Sequence, residues 1–313
     1  MSVAAVDVGS NSVRLLIVDD AGERVLRDIV TTRLAEGVDR TGRLADAAIA
    51  RTVAAIVGCR DRWVGAGVPT DRAHVRIAAT SAVRDAADRD RFRTAVEDAV
   101  GIPVDVIDGE EEASLAFAGA SGAVPTEDPC VVVDVGGGST ELVVGRAGEV
   151  LASVSTQLGC VRLTERALHG DPPSDAERAE ASRVARATLA DGLATLADGL
   201  APHGVTLADV RTVVAVAGTA TTLAALHLGL PTYEEARIHG TVVAADVLDT
   251  LAARLAASTV AERAALGPVQ PGRAEVLHGG AIVLAAALEL LGRPALVVSE
   301  ADSLDALAAR LRG

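Results

Sequence analysis

Apolar residues fall along this chain in short branched runs closed by glycine-rich polar turns, separated by longer stretches with helical spacing. "VDVGSNSVRLLIV" at 6–18 and "VDVGGGSTELVVG" at 133–145 each predict a strand, a tight turn and a second strand. The two superpose at an offset of 127 residues, placing Asp7 on Asp134, Gly9 on Gly136, Ser12 on Ser139 and Leu15 on Leu142. After the first copy, "HVRIAATSAVRDAADRDRF" predicts a strand over 74–79, a polar turn at Thr80 and Ser81, and a helix with Phe92, Val96 and Val100 on one face. After the second, "VRTVVAVAGTATTLAALHLG" predicts a strand to Ala217, a turn at Gly218 and Thr219, and a helix.

Between them lies a long amphipathic helix opened by prolines and a Ser174/Glu177 capping box, with Leu189, Leu193, Leu196 and Leu200 at helical spacing. Its role reads as structural. The stretch 119–129, rich in Gly, Pro and small residues, predicts a linker. The whole is a duplicated α/β organisation with loops at strand C-termini.

Composition narrows the function classes. The chain has 313 residues, half of them hydrophobic, enough for two domains with sizeable cores. Aromatics are 1% and the formal net charge is −14, which argues against base-stacking platforms and against the clustered positive charge that holds nucleic acid. There is no lysine, so all 29 basic residues are arginines, whose planar fork suits bidentate phosphate contacts. Cys59, Cys130 and Cys160 share no metal-type spacing and make an odd number, which points to a reducing compartment. Asp7 interrupts the N-terminus before an apolar core could form there, and Glu289 breaks the apolar stretch near 280. A cytoplasmic protein with no membrane partner is the expectation.

The paired turns carry the chemistry. Glycine admits unusual dihedrals and lets successive backbone N–H groups approach an anion. A carboxylate ending the first strand would repel that anion unless a divalent cation bridged them, so Asp7 and Asp134 read as ligands of Mg²⁺, directly or through water. One copy alone reads equally as an ordinary glycine hairpin with a solvated aspartate. The repetition favours the phosphate cradle.

Beyond these turns, "ATSAVRDA", "VIDGEEEASLAFAGA", "STQLGCVRLTE", "VAVAGTATTLAAL" and "VSEADSLDALAARL" follow in order. With them the sequence resembles the exopolyphosphatase and guanosine pentaphosphate phosphatase family of the actin-like ATPase superfamily, in its short form. The glycine loops alone would indicate only the superfamily; the "GEEEA" and "GGGSTE" blocks narrow it. The resemblance implies two ribonuclease H-like domains facing a cleft, residues 1–123 plus 299–313 and residues 124–298. It implies hydrolysis of a terminal phosphoryl group by water, with inorganic polyphosphate or guanosine pentaphosphate as substrate, Mg²⁺ (Mn²⁺ as the alternative) as cofactor, and a homodimer.

By the same resemblance Glu112 falls on the catalytic base, and Asp7, Asp134 and Glu141 join it as catalytic and metal-facing carboxylates. Ser10, Asn11, Ser12, Arg14, Thr80, Ser81, Arg84, Gly136, Gly137, Gly138 and Ser139 fall on phosphate-contacting segments, with Gly218 and Thr219 in the corresponding second-half turn. One departure is that the lysines with which larger members grip long polyphosphate are absent. That absence and the acidic balance predict a preference for short chains, released and rebound between cleavages.

Glu110, and mostly Glu111, read as a solvated acidic helix start. His74, His169, His203, His227, His239 and His278 lack ligand spacing. Arg273, with Glu275 just after it, either reaches the phosphate channel or caps a helix pair, and Glu300 reads as structural. Two rival classes remain: a small-molecule kinase, which would need an acceptor pocket, and a polyphosphate or nucleotide sensor with slow turnover.

Overall fold

The first apolar run becomes β1 (Val3–Val8) and β2 (Ser12–Val18), and the chain turns again into β3 (Arg24–Thr31). β4 (Val75–Ala79) and β5 (Val104–Val106) follow. In the computed structural model, which describes residues 1–270 and 272–313, these strands form one sheet in the order β3-β2-β1-β4-β5. β3, β2 and β1 are joined antiparallel, while β4 adds to β1, and β5 to β4, in parallel. They belong to a compact unit of residues 1–115 and 303–313.

Side chains alternate across a pleated strand. Val3 and Ala5 of β1 and Leu16 and Val18 of β2 therefore share a face, where they pack with Leu115 and with Leu304 and Leu307 of the C-terminal helix Ser303–Arg312. The helices Asp46–Gly65 and Arg89–Val100 bury Ile56 and Trp63, and Phe92, Val96 and Val100. The helical face read at 92–100 is thus present, but a separate short helix, Ser81–Asp85, precedes it.

The second unit, residues 116–302, repeats the plan. β6 (Cys130–Val135), β7 (Thr140–Arg146) and β8 (Glu149–Thr156) form the antiparallel part, and β9 (Thr212–Val216) pairs with β6 in parallel. β10 (Val242–Ala244) lies antiparallel on the edge beside β11 (Ala295–Val298), giving the order β10-β11-β9-β6-β7-β8. Val131, Val133, Leu142 and Val144 meet Leu189, Leu193, Leu196 and Leu200 of helix Asp175–Leu200 in one core. That helix starts with the capping box: Ser174 Oγ accepts from Glu177 N at 3.3 Å, and Ser174 N donates to Glu177 Oε2 at 2.7 Å.

The duplication reaches atomic register. Asp7 stands across from Arg14 in the first hairpin, and Asp134 across from Glu141 in the second. Both turns close alike, Gly9 N to Ser12 O and Gly136 N to Ser139 O, each at 3.0 Å. Each unit is ribonuclease H-like, an α/β sheet with three antiparallel strands extended by two parallel ones, to which the second unit adds antiparallel β10 at the edge.

Three local expectations give way. Neither Gly9 nor Gly136 takes a left-handed φ. The positive φ at the second-half loop belongs to Ala217 (64°), and helix Ala217–His227 begins there, so Gly218 and Thr219 lie in its first turn instead of in a turn of their own. The segment 119–129 is no flexible linker: Ala120 and Val124 are buried, and a Cβ on Gly119 would stand 1.8 Å from the carbonyl oxygen of Asp302. Its small residues permit close packing, which composition alone does not distinguish from flexibility.

Candidate active site

In the first unit β1 carries Asp7 just before its end, and the register sets Arg14 of β2 opposite. Arg14 Nε donates to Asp7 Oδ2 at 2.8 Å, and Arg14 Nη2 also reaches that oxygen and, at 3.1 Å, Ser303 Oγ. The turn between them is pinned from outside. The Asn11 carbonyl accepts from Thr32 N and Arg33 N at 2.9 Å each, and the Ser10 carbonyl from Ala35 N at 2.9 Å. Ser10 Oγ and Ser81 Oγ lie 2.9 Å apart, joining this loop to the one after β4. Thr80 N donates to Val8 O at 3.2 Å, a second tie between them.

Arg84 ends the short helix from Ser81, and its Nη1 donates to Glu112 Oε2 at 2.8 Å and to Ile107 O at 3.2 Å. Glu112 lies in the first turn of helix Gly109–Ala120, which Asp108 caps by accepting from Glu111 N at 2.8 Å. The Glu112 side chain is only 12% exposed. Burial pushes its carboxyl above the usual range, the Asp7 charge adds to this, and Arg84 and Arg14 oppose it. Its neighbours differ: Glu110 is exposed, and Glu111 accepts from Arg76 Nη2 at 2.8 Å.

In the second unit the glycine loop lies against a helix start. Gly136 O accepts from Cys160 N at 2.9 Å, and Gly137 O from Val161 N at 2.9 Å and Arg162 N at 3.1 Å, which satisfies the first donors of helix Cys160–Ala167. Peptide planes are trans, so carbonyls turned toward the helix direct the N–H groups of Gly137 and Gly138 to the other side, where an anion can be cradled. Close approach is what glycine serves here: a Cβ on Gly159 would stand 2.4 Å from Gly137 O. Ser139, which closes the turn by accepting from Gly136 N, is buried.

Asp134 and Glu141 are cross-strand neighbours, 8% and 1% exposed, and Ser155 of β8 donates to Glu141 Oε1 at 2.7 Å. Among the described residues no three His, Cys, Asp or Glu side chains form a cluster suited to a metal ion. Thr219 is buried, and Gly218 lies under the Arg273 guanidinium, whose Nη1 a Cβ would meet at 1.6 Å. Arg273 Nη1 also donates to Thr222 Oγ1 at 3.3 Å.

Nearby, Tyr233 Oη donates to Glu300 Oε1 at 2.6 Å, and burial, with Glu300 adding, pushes the phenol's pKa up. Glu300 N donates to His239 Nδ1 at 3.2 Å and the His239 Nε2–H donates to Ala123 O at 2.8 Å, so the ring bridges the two backbones.

The structure thus brings together, in the first unit, Asp7, Ser10, Arg14, Ser81, Arg84 and Glu112 through direct bonds or charge, with Asn11, Ser12 and Thr80 on the same two loops. In the second unit it brings Asp134, Glu141, Gly136, Gly137, Gly138 and Ser139 onto one hairpin, with Gly218 and Thr219 at a separate helix start. Sequence reading missed Ser155 and Ser303, which hold Glu141 and Arg14. Ser155 had a signal, since the third strand of a repeated hairpin sheet must run beside the second; Ser303, 289 residues from its partner, had none. The three cysteines are buried thiols, each with its pKa pushed by burial to about 11. No helix among the described residues is long and apolar enough to cross a membrane.

Comparison with known proteins adds to this geometry. The chain is 45% identical to Exopolyphosphatase 2 of Mycobacterium tuberculosis, over 99% of this chain and 98% of that protein. A crystal structure of an exopolyphosphatase-like protein superposes with a TM-score of 0.91 at 32% identity, over 99% of this chain and all of that one. A Ppx/GppA protein of Aquifex aeolicus superposes with a TM-score of 0.77 at 28% identity, covering 99% of this chain and 97% of the other. The family model for Ppx/GppA phosphatases matches residues 16–303, and this chain belongs to the Ppx/GppA phosphatase family.

Proposed function

We propose that this chain is an Mg²⁺-dependent exopolyphosphatase that removes the terminal phosphoryl group of inorganic polyphosphate, with Glu112 as the base. The family and the relative called Exopolyphosphatase 2 support the reaction class and the substrate. The observation that carries the mechanism is Glu112 itself. It is a nearly buried carboxylate with a raised pKa, fixed by Arg84 at 2.8 Å. A base is most effective when its pKa approaches the working pH, and a carboxyl held by a rigid guanidinium cannot swing away from its water.

Glu112 orients a water and takes its proton as the water oxygen bonds to the terminal phosphorus. The bridging P–O bond breaks, and the shortened chain leaves with the electron pair. Arg14 and Arg84, whose guanidiniums are already fixed by Asp7 and Glu112, donate to the oxygens on which charge develops. The N–H groups of Gly137 and Gly138 bind phosphate oxygens.

The second-unit carboxylates fit a divalent cation. The position that supplies the positive Arg14 opposite Asp7 in the first hairpin supplies Glu141 opposite Asp134 in the second, so two buried carboxylates share one site that favours a cation. Asp134 and Glu141 would hold Mg²⁺, with Ser155 orienting Glu141; when bound, it neutralises phosphate charge. Asp7, already paired with Arg14, serves mainly to position that arginine. The lack of lysine and the net charge of −14 favour short chains and dissociation between cleavages.

Phosphate release from polyphosphates of defined length, without an acceptor and with Mg²⁺ or chelator, tests this reading. Release that needs Mg²⁺ and leaves a ladder of gradually shortened chains is expected. No release, or fully degraded chains beside untouched ones, would contradict the activity or the chain-length reading respectively.

A further inference from the structure

Beside the Glu112 pair the first unit contains a cavity that shares Arg84 with the proposed reaction and is otherwise outside it. It measures about 820 Å³, within the ~300–1,000 Å³ common for small-ligand sites, and lies between the edge strand β5 and helix Arg89–Val100. Arg76, Arg84, Arg89 and Arg93 line it, over a floor made by Val104, Val106 and Ile107.

Its acidic residues are matched to other groups. Asp105 accepts from both Arg72 and Arg76, Glu111 accepts from Arg76, Asp90 from Arg93, and Asp108 caps a helix. Arg89 donates to the Arg84 carbonyl at 3.4 Å, so its head lies beside the backbone of residue 84. Arg93, one helical turn further on the same face, is held over β5 by Nε donating to Val104 O at 3.4 Å. Four guanidiniums face four carboxylates in this open cavity, and Arg89, bonded to a carbonyl where Arg93 and Arg84 are bonded to carboxylates, offers an oxyanion its first contact. Arg84 belongs to this wall and also to Glu112, at 2.8 Å.

We propose that this cavity is a second, regulatory oxyanion site that takes a phosphoryl dianion on Arg89, Arg93 and Arg84. A dianion seated there competes with Glu112 for the Arg84 guanidinium and loosens the base from its bonded position. The effect on turnover rests on the role of Glu112 proposed above; the binding does not. Phosphoryl dianions reach the cavity from two sources, as free orthophosphate, the product, or as the end of an oligophosphate.

Titration calorimetry of the full chain with orthophosphate and with hydrolysis-resistant imidotriphosphate separates these sources, and the tighter ligand identifies the occupant. Two classes of site are expected in the wild type and one in Arg89→Gln/Arg93→Gln, whose exposed positions leave the fold intact. In steady state that variant should keep its kcat and KM without added anion. Its constant for the component of anion inhibition that lowers kcat should rise about tenfold or more, the scale of one charge-assisted contact. One class of site in both proteins overturns the cavity as a binding site. Two classes with purely competitive inhibition in the wild type overturn the coupling through Arg84. Inactivity of the wild type toward polyphosphate would count against the functional reading while the calorimetry still judges the cavity.

Discussion

Replacing Gly159 with Ala tests the claim that the second glycine loop is held in place by its contact with a helix start. The added Cβ would stand 2.4 Å from Gly137 O, 2.5 Å from Gly137 C and 2.7 Å from Gly136 O. All three are backbone atoms, so no side chain can move aside and the loop or the helix must shift. Overpacking of this kind costs about 1–3 kcal/mol. The shift also strains the bonds from Cys160, Val161 and Arg162 to the two carbonyls, each with a net value of about 0.5–1.5 kcal/mol.

Loss equivalent to one such bond brings the total to about 1.5–4.5 kcal/mol. For a unit of residues 116–302, a Tm fall of roughly 2–4 °C per kcal/mol gives about 3–18 °C. Differential scanning calorimetry should show this drop in the second unit's transition, and phosphate release should fall because the Gly137 and Gly138 N–H groups move with the loop. Gly58→Ala is the control. It lies inside helix Asp46–Gly65 with nothing within 4 Å of its Cβ position, and should be neutral or stabilise by up to about 1 kcal/mol. A Gly159→Ala protein that melts and turns over like the wild type would show that the loop is not held by this contact.

Three further outcomes follow from the site and the core. Because burial raises the Glu112 pKa, the acid limb of kcat/KM should sit above the ordinary glutamate value near ~4.3, and Arg84→Gln, removing the group that lowers it, should move that limb to higher pH; a limb that does not move contradicts the pairing. Asp134→Ala and Glu141→Ala should each raise the Mg²⁺ concentration for half-maximal phosphate release by about tenfold or more, and an unchanged requirement in both would remove them from the metal site. His278 is buried beside Arg263, with its pKa depressed to about 3, so folding stability is complete above ~6.5 and declines as pH falls toward 3. Calorimetry of His278→Gln should show a shallower loss of Tm across that window than in the wild type.

Much of the fold was legible because its determinants are local and repeated. The 127-residue offset between the Asp7 and Asp134 hairpins returns as identical turn closures and matching registers, and the Ser174/Glu177 cap forms as spacing alone implies. What sequence could not show depends on residues far apart in the chain. The Arg84–Glu112 bond spans 28 positions, and the arginine-lined cavity assembles Arg76, Arg84, Arg89 and Arg93 from a strand and two helices.

The glycines misled for a different reason. Composition shows that a Cβ is missing, but not whether the chain needs a left-handed φ or a close neighbour. At Gly119 and Gly159 it is the neighbour, while the left-handed φ of the second-half loop falls on Ala217.

Glu112→Gln probes the role of Glu112 as the base while leaving the rest of the site in place, because the amide keeps the shape and the tie to Arg84. Single-turnover phosphate release from a short polyphosphate should fall by about 10²–10⁴, the scale of general base catalysis, while substrate affinity measured on the same protein stays within a few-fold of wild type. The acid limb in the pH profile of the residual rate should disappear with the carboxyl. Near-normal single-turnover release, or a loss of rate accompanied by an equal loss of affinity, would contradict the account.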